Sequence, residues 1–166
     1  MFKLKSIHKQ GIPRALEKIE RYRLLNEPIE AESICRDILD IDPENQQALI
    51  NLILSLTDQF IKGIDIRETM ELVLRLKDEF NKEYYKGIIL ERQGKAALMR
   101  NSPGFKHDVY EWFVEAMECY EKAEKYSSPD NDDAILRWNT CARIITRYQL
   151  TPRPPEKRDR LHLPLE

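Results

Sequence analysis

The stretch IPRALEKIERYRLLNEPIEAESICRDILDIDPEN, residues 12–45, decides the fold of this 166-residue chain. Pro13 is a good first-turn residue, and Ala15, Leu16, Ile19 and Tyr22 then fall on one side of a helix. Asn26-Glu27-Pro28 breaks that helix. A second follows with Ala31, Ile34, Cys35, Ile38 and Leu39 at the i, i+3, i+4, i+7, i+8 spacing of a buried stripe. Asp42-Pro43 ends it, because a proline excludes the helical conformation at the residue before it. Two short helices joined by a tight turn thus occupy 34 residues.

The same periodicity continues outward. A third helix, 44–60, is apolar on two faces (Leu49, Leu52, Ile53, Leu56 and Phe60; Ile50 and Leu54) and should lie between neighbours. After Gly63 the spacing predicts a fourth helix over 65–80 and a fifth over 81–99. Asn101-Ser102-Pro103-Gly104 reads as a turn. The sixth helix carries Val109, Trp112, Phe113, Ala116, Met117, Tyr120 and Ala123, with Glu118–Lys122 and Glu121–Lys125 pairs on its solvent side. His107, beside Asp108, belongs to the start of this helix. A last helix, 132–148, packs through Ile135, Trp138, Ala142, Ile145 and Tyr148. No period-two alternation is sustained, so the chain should be all-α. Residues 1–11 are expected to be a flexible lead-in and 151–166 a disordered tail, since four of the nine prolines fall in those last sixteen residues.

Within the first unit, Tyr22, Ala31, Ile38-Leu39 and Pro43 closely resemble the pattern of a tetratricopeptide repeat, whose length is also 34 residues. A second unit, 46–81, has a longer turn around Lys62-Gly63. A third, 82–128, is similar through Gly87, Leu90 and Gly94, then Ala116, Tyr120 and Ala123. There 21 residues separate Gly94 from Ala116, so this hairpin is longer than the family's. The helix at 132–148 resembles the first half of a fourth repeat acting as a cap. The domain so defined, 12–150, is similar to a small bacterial-type tetratricopeptide repeat protein. The resemblance implies a right-handed α-solenoid of antiparallel helix hairpins, whose concave groove binds a peptide or helix of another protein. One groove type in the family grips a C-terminal carboxylate with Lys, Arg and Asn. Here the matching positions hold Leu16 and Glu20, and only Asn51 agrees, so that clamp is not reproduced.

Composition narrows the function. Lys plus Arg total 27 and Asp plus Glu 29, a net charge of −2, without the basic surplus of a nucleic-acid binder. No apolar run is long enough for a membrane span. Cys35, Cys119 and Cys141 are odd in number and lie in apolar stripes, where a free thiol acts as a small hydrophobe. They fit a reducing, cytoplasmic setting. Phosphate-loop, dinucleotide, zinc-protease and nucleophile-elbow motifs are all missing. Asp130-Asn131-Asp132-Asp133 lacks the glycine and distal Glu of a calcium loop and reads as a helix cap. Neither a metal nor a cofactor is expected.

The leading expectation is a non-enzymatic scaffold or adaptor. From the repeat geometry its groove should present Glu20, Arg23, Asn51, Asp58, Tyr84 and Arg92, then Thr140 and Arg143. Arg137 and Arg143 flank Trp138-Asn139, where Asn139 should be buried and tie down a loop, and would offer cations to an acidic partner. The alternative is an obligate subunit of a larger complex, with Trp112 and Tyr126 at the interface. An enzyme would need a pocket built on Tyr84, Arg92, Asn139 and Arg143. In the tail, Pro152-Arg153-Pro154-Pro155 contains one P-x-x-P, and Leu161, Leu163 and Leu165 could fold back into the groove.

Overall fold

The computed structural model of the protein describes residues 2–100 and 105–154. Among them are seven α-helices and no strand: α1 (Ile12–Leu24), α2 (Pro28–Ile41), α3 (Gln46–Thr57), α4 (Ile66–Val73), α5 (Glu79–Arg100), α6 (Phe105–Glu124) and α7 (Asp133–Tyr148). The all-α expectation holds. None of these helices is long and apolar enough to cross a membrane.

The breaks follow local chemistry. At the end of α1, Asn26 takes the left-handed conformation (φ 59°), and Glu27 N donates to Tyr22 O (2.9 Å). That six-residue closure satisfies the last carbonyls and lets Pro28 open α2 at once. Asn45 caps α3, its Oδ1 accepting from Ala48 N (2.9 Å) while its Nδ2 donates to Asp42 (3.0 Å). A single 3-10 turn, Phe60–Lys62, and Gly63 (φ 89°) lead to Asp65, which caps α4.

The fourth helix is shorter than the periodicity predicts. It stops at Val73 because the chain after it is held by the turn between α2 and α3. Gln46 accepts from Lys77 N (2.8 Å) and donates to Arg75 O (3.3 Å), and the Arg75 guanidinium reaches Pro43 O. Asp78 then accepts from Asn81 N (2.8 Å) and starts α5 early, at Glu79. The helix-forming run Leu74-Arg75-Leu76-Lys77 is overridden by contacts about thirty residues distant in sequence.

Each helix packs on the next along the chain; α1 also packs on α3, and α3 on α5. The interior divides into two apolar clusters. The first joins α1 to α4 around Ile19, Cys35, Ile38, Leu49, Ile53 and Phe60. The second joins α5 to α7 around Val109, Phe113, Tyr120 and Cys141. α5 belongs to both. Ile89 and Ala96 enter the first cluster, whereas Ile88 and Leu90 enter the second.

The described residues that flank the helices also make contacts. Ile7 packs on the first cluster, and Lys9–Gly11 form a 3-10 turn running into α1. At the other end, Gln149 takes φ 50°, Leu150 N donates to Ile145 O (3.0 Å), and Leu150 is buried in the second cluster. His107 Nδ1 donates to the Thr151 carbonyl (3.0 Å) and Arg153 pairs with Asp108 (2.6 Å), so 150–153 lie against the start of α6. The turn at 101–104 and the leucines of 161–165 lie outside the described residues.

Candidate functional site

Three alternate helices supply one surface cavity of about 540 Å³, lined by Glu20, Arg23 and Leu24 of α1, Gln47, Ile50, Asn51 and Leu54 of α3, and Tyr85 of α5. The sequence explains the arrangement. Helical spacing puts Glu20, Arg23 and Leu24 on one side of α1, and Gln47, Asn51 and Leu54 repeat every three or four residues along α3. The stripe carrying Tyr85, Ile89, Arg92, Ala96 and Met99 is the side of α5 turned to α3. The surface therefore mixes apolar side chains, Leu24, Ile50 and Leu54, with polar and charged ones, as recognition clefts do.

The expected groove residues separate into distinct roles. Glu20, Arg23 and Asn51 do line this cavity. Asn51 is itself buried, its Nδ2 donating to Gln47 O (3.0 Å). Asp58 and Arg92 form a network behind it. Asp58 Oδ2 accepts from Arg23 Nε (2.9 Å), and its Oδ1 pairs with Arg92 Nη1. The same Arg92 nitrogen donates to Leu54 O (3.1 Å) and Thr57 Oγ1 (2.6 Å), so it closes the C-terminal end of α3. Burial pulls the Arg92 pKa down; Asp58 opposes this, and Arg23 and Arg137 add to the lowering. A guanidinium stays cationic regardless. Arg92 is thus an anchor between α3 and α5 before it is a surface for a partner. It also lines a second cavity of about 480 Å³ with Asn26, Ile61, Lys95 and Met99 among others. Tyr84, Asn139 and Arg143 do not line that cavity, so the enzyme pocket envisaged around all four is not assembled there.

Tyr84 is a packing residue. Its ring stacks on Phe80 (5.2 Å, 16°) and meets Tyr120 at 5.9 Å. The cavity is lined by its neighbour Tyr85 instead, whose hydroxyl pKa is raised chiefly by burial, then by Tyr84 and Asp133. Arg143 is exposed on α7. Asn139 is only half-buried. Trp138 donates from Nε1 to Glu121 (3.0 Å).

Sequence reasoning overlooked a fully buried carboxylate. Glu91, in the middle of α5, is completely buried. Its Oε2 accepts from the Tyr120 hydroxyl (2.6 Å), and its Oε1 pairs with Lys95 and with Arg137 of α7 (3.2 Å). Burial presses on the Arg137 guanidinium, but Glu91 and Tyr84 outweigh it, and its pKa rises. Tyr120 is pushed far above its ordinary range by burial and by the adjacent carboxylate. One signal was present in the sequence. Gly87, Glu91 and Gly94 share a stripe, and two glycines flanking a carboxylate mark a face that another helix closes on.

The cysteines carry no accessible chemistry. All three are buried and unpaired. Burial raises Cys35 and Cys141 to about 12, and Cys119 in the same direction. Two outcomes follow. A thiol reagent at pH 8 should modify none of them until the chain unfolds. Stability should be full below the unfolded-thiol pKa near 9 and fall as pH climbs from there toward 12. Each pH unit in that window costs about 1 kcal/mol for Cys35 and about as much for Cys141, because the unfolded state loses its protons first. Urea melts at pH 8, 9.5 and 10.5 check this, and a Cys35→Ala variant should flatten the slope.

Among the described residues no group of three or more His, Cys, Asp or Glu side chains is placed to hold a metal ion. Comparison with protein-family models, with curated proteins and with solved structures gives no match to this chain.

Proposed function

We propose that this protein is a non-enzymatic interaction module, a stack of tetratricopeptide-like hairpins that binds a peptide or helix of another protein on the face shared by α1, α3 and α5. The observation that carries this reading is the cavity itself, built from every second helix. Packing of α1 on α3 and of α3 on α5, beside the sequential pairs, is the contact pattern of a helical solenoid. In that reading α1/α2, α3/α4 and α5/α6 are three hairpins, the third longer than the others, and α7 caps the stack while Arg137 ties it to Glu91.

Leu24 lines the cavity and is 88% exposed, so it can be changed without disturbing the interior. A Leu24→Glu variant should lose a partner captured from native extract by about tenfold while melting as the parent does. Undiminished capture by that variant would place the binding surface elsewhere. Arg92 is unsuited to this purpose, because reversing its charge would set two acids together at the end of α3.

A second reading, a permanent subunit of a larger assembly, is favoured by apolar side chains left in solvent, among them Leu24, Leu25 and Met99. Sizing in native extract separates the two. A permanent subunit never elutes at 20 kDa, whereas an adaptor does in part.

A further inference from the structure

Arg23 stands in an unusual way. Its contact with Asp58 is made through Nε (2.9 Å), and among the described residues nothing bonds to its two terminal nitrogens. Asp58 is in turn held on its other oxygen by Arg92, which is locked to the end of α3 through Leu54 O and Thr57. This chain, Arg92 to Asp58 to Arg23, holds the guanidinium through Nε and leaves its two terminal nitrogens unbonded among the described residues, and Arg23 lines the cavity. The Arg23 side chain is only 21% exposed, so its orientation is set before any ligand arrives. Two cations share the Asp58 carboxylate, and among the described residues Glu20, the acid on the same cavity wall, pairs with neither of them.

From this we infer that the cavity reads a single carboxylate side chain, an Asp or Glu flanked by apolar residues, in the segment of a partner protein that lies across α1, α3 and α5. The inference rests on the groove reading above and adds the chemistry of the occupant. The carboxylate accepts two parallel N–H bonds from Arg23 Nη1 and Nη2, the bidentate geometry in which arginine is strongest. Leu24, Ile50, Leu54 and Tyr85 take the apolar neighbours. Glu20, on the same wall, sets the limit of one charge, because its carboxylate repels a dianion or a run of acids. Asp58 acts as a positioning residue, since it orients Arg23 without meeting the ligand.

The experiment uses the full chain and an array of N-acetylated, C-amidated dodecapeptides. Each has one Glu among apolar and neutral residues, beside its Gln twin and that twin with a free C-terminus; the best pairs are then titrated by calorimetry. Glu peptides should bind about tenfold tighter than their Gln twins, the size of one charge-assisted bidentate contact. Arg23→Lys, which keeps the charge but has no fork, and Asp58→Asn should both abolish the preference, so that Glu and Gln twins then bind alike. Glu20→Gln should widen it, and this variant serves if Arg23→Lys melts early. Equal binding of Glu and Gln twins overturns the inference but leaves the groove reading standing, and so does a preference that survives Arg23→Lys. Binding confined to free C-termini overturns it in favour of a terminal carboxylate. An array that retains nothing overturns both.

Discussion

Gly87→Ala lowers the stability of this protein by about 2 kcal/mol, although alanine is the better helix former. A methyl group at Gly87 would sit 2.5 Å from Cε1 and 2.9 Å from Cδ1 of Tyr120. That ring cannot step aside, being buried between α5 and α6 with its hydroxyl tied to Glu91. Overpacking of this kind costs about 1–3 kcal/mol, and the severity of the contact puts it at the upper end. The gain in helix propensity offsets about 0.8–1 kcal/mol of that. For a domain of this size the net loss is a fall of about 4–8 °C in Tm, read by calorimetry. Gly94→Ala meets Phe113 at 3.1 Å and should cost less. Gly11→Ala, with nothing within 4 Å, is the control and should stay within about 0.5 kcal/mol of the parent. A Gly87→Ala protein more stable than the parent would mean that α5 and α6 are not pressed together at this point.

The second large effect belongs to Glu91. Truncation to alanine removes the one acceptor shared by Tyr120, Lys95 and Arg137. Breaking a buried ion pair from one side costs about 3–5 kcal/mol. Lys95 and Arg137 are each about one third exposed and can turn toward water, so the lower figure applies, about 3 kcal/mol. Glu91→Gln still accepts from Tyr120 and should lose about 1–2 kcal/mol. A double variant, Glu91→Leu with Arg137→Leu, leaves no unpaired guanidinium at α7 and should cost less than the two single changes added together. Urea unfolding of the four proteins measures this. Strict additivity would show that α7 is not held to α5 through this pair.

Much of the fold was legible because helix periodicity, proline and capping residues act locally. Asn26-Glu27-Pro28 and Asp42-Pro43 ended α1 and α2 where the structure ends them, and the last helix, expected from 132, begins one residue later at Asp133. The end of α4 was not legible. Nothing within Leu74-Arg75-Leu76-Lys77 opposes a helix; the opposition comes from Gln46 and from the carbonyl of Pro43. The candidate site was half legible for the same reason. Spacing on α1 and α3 pointed to Glu20, Arg23 and Asn51, but on α5 it pointed to Tyr84. In the fold Tyr84 packs into the aromatic cluster with Phe80 and Tyr120, and its neighbour Tyr85 lines the cavity.

The sequence by itself determined an all-α chain, most of its helix boundaries and the burial of all three cysteines, since these follow from patterns within a few turns of backbone. Tertiary structure alone decided which charges are structural and which are free. Arg23, Arg92 and Arg137 look alike in sequence, each a cation within three or four residues of an apolar position of its helix. Packing places Asp58 between the first two and encloses Glu91 beside the third. A charge acquires its role from the distance to its counter-charge and from the water excluded around it, and both are set by helices that meet only after the chain has folded.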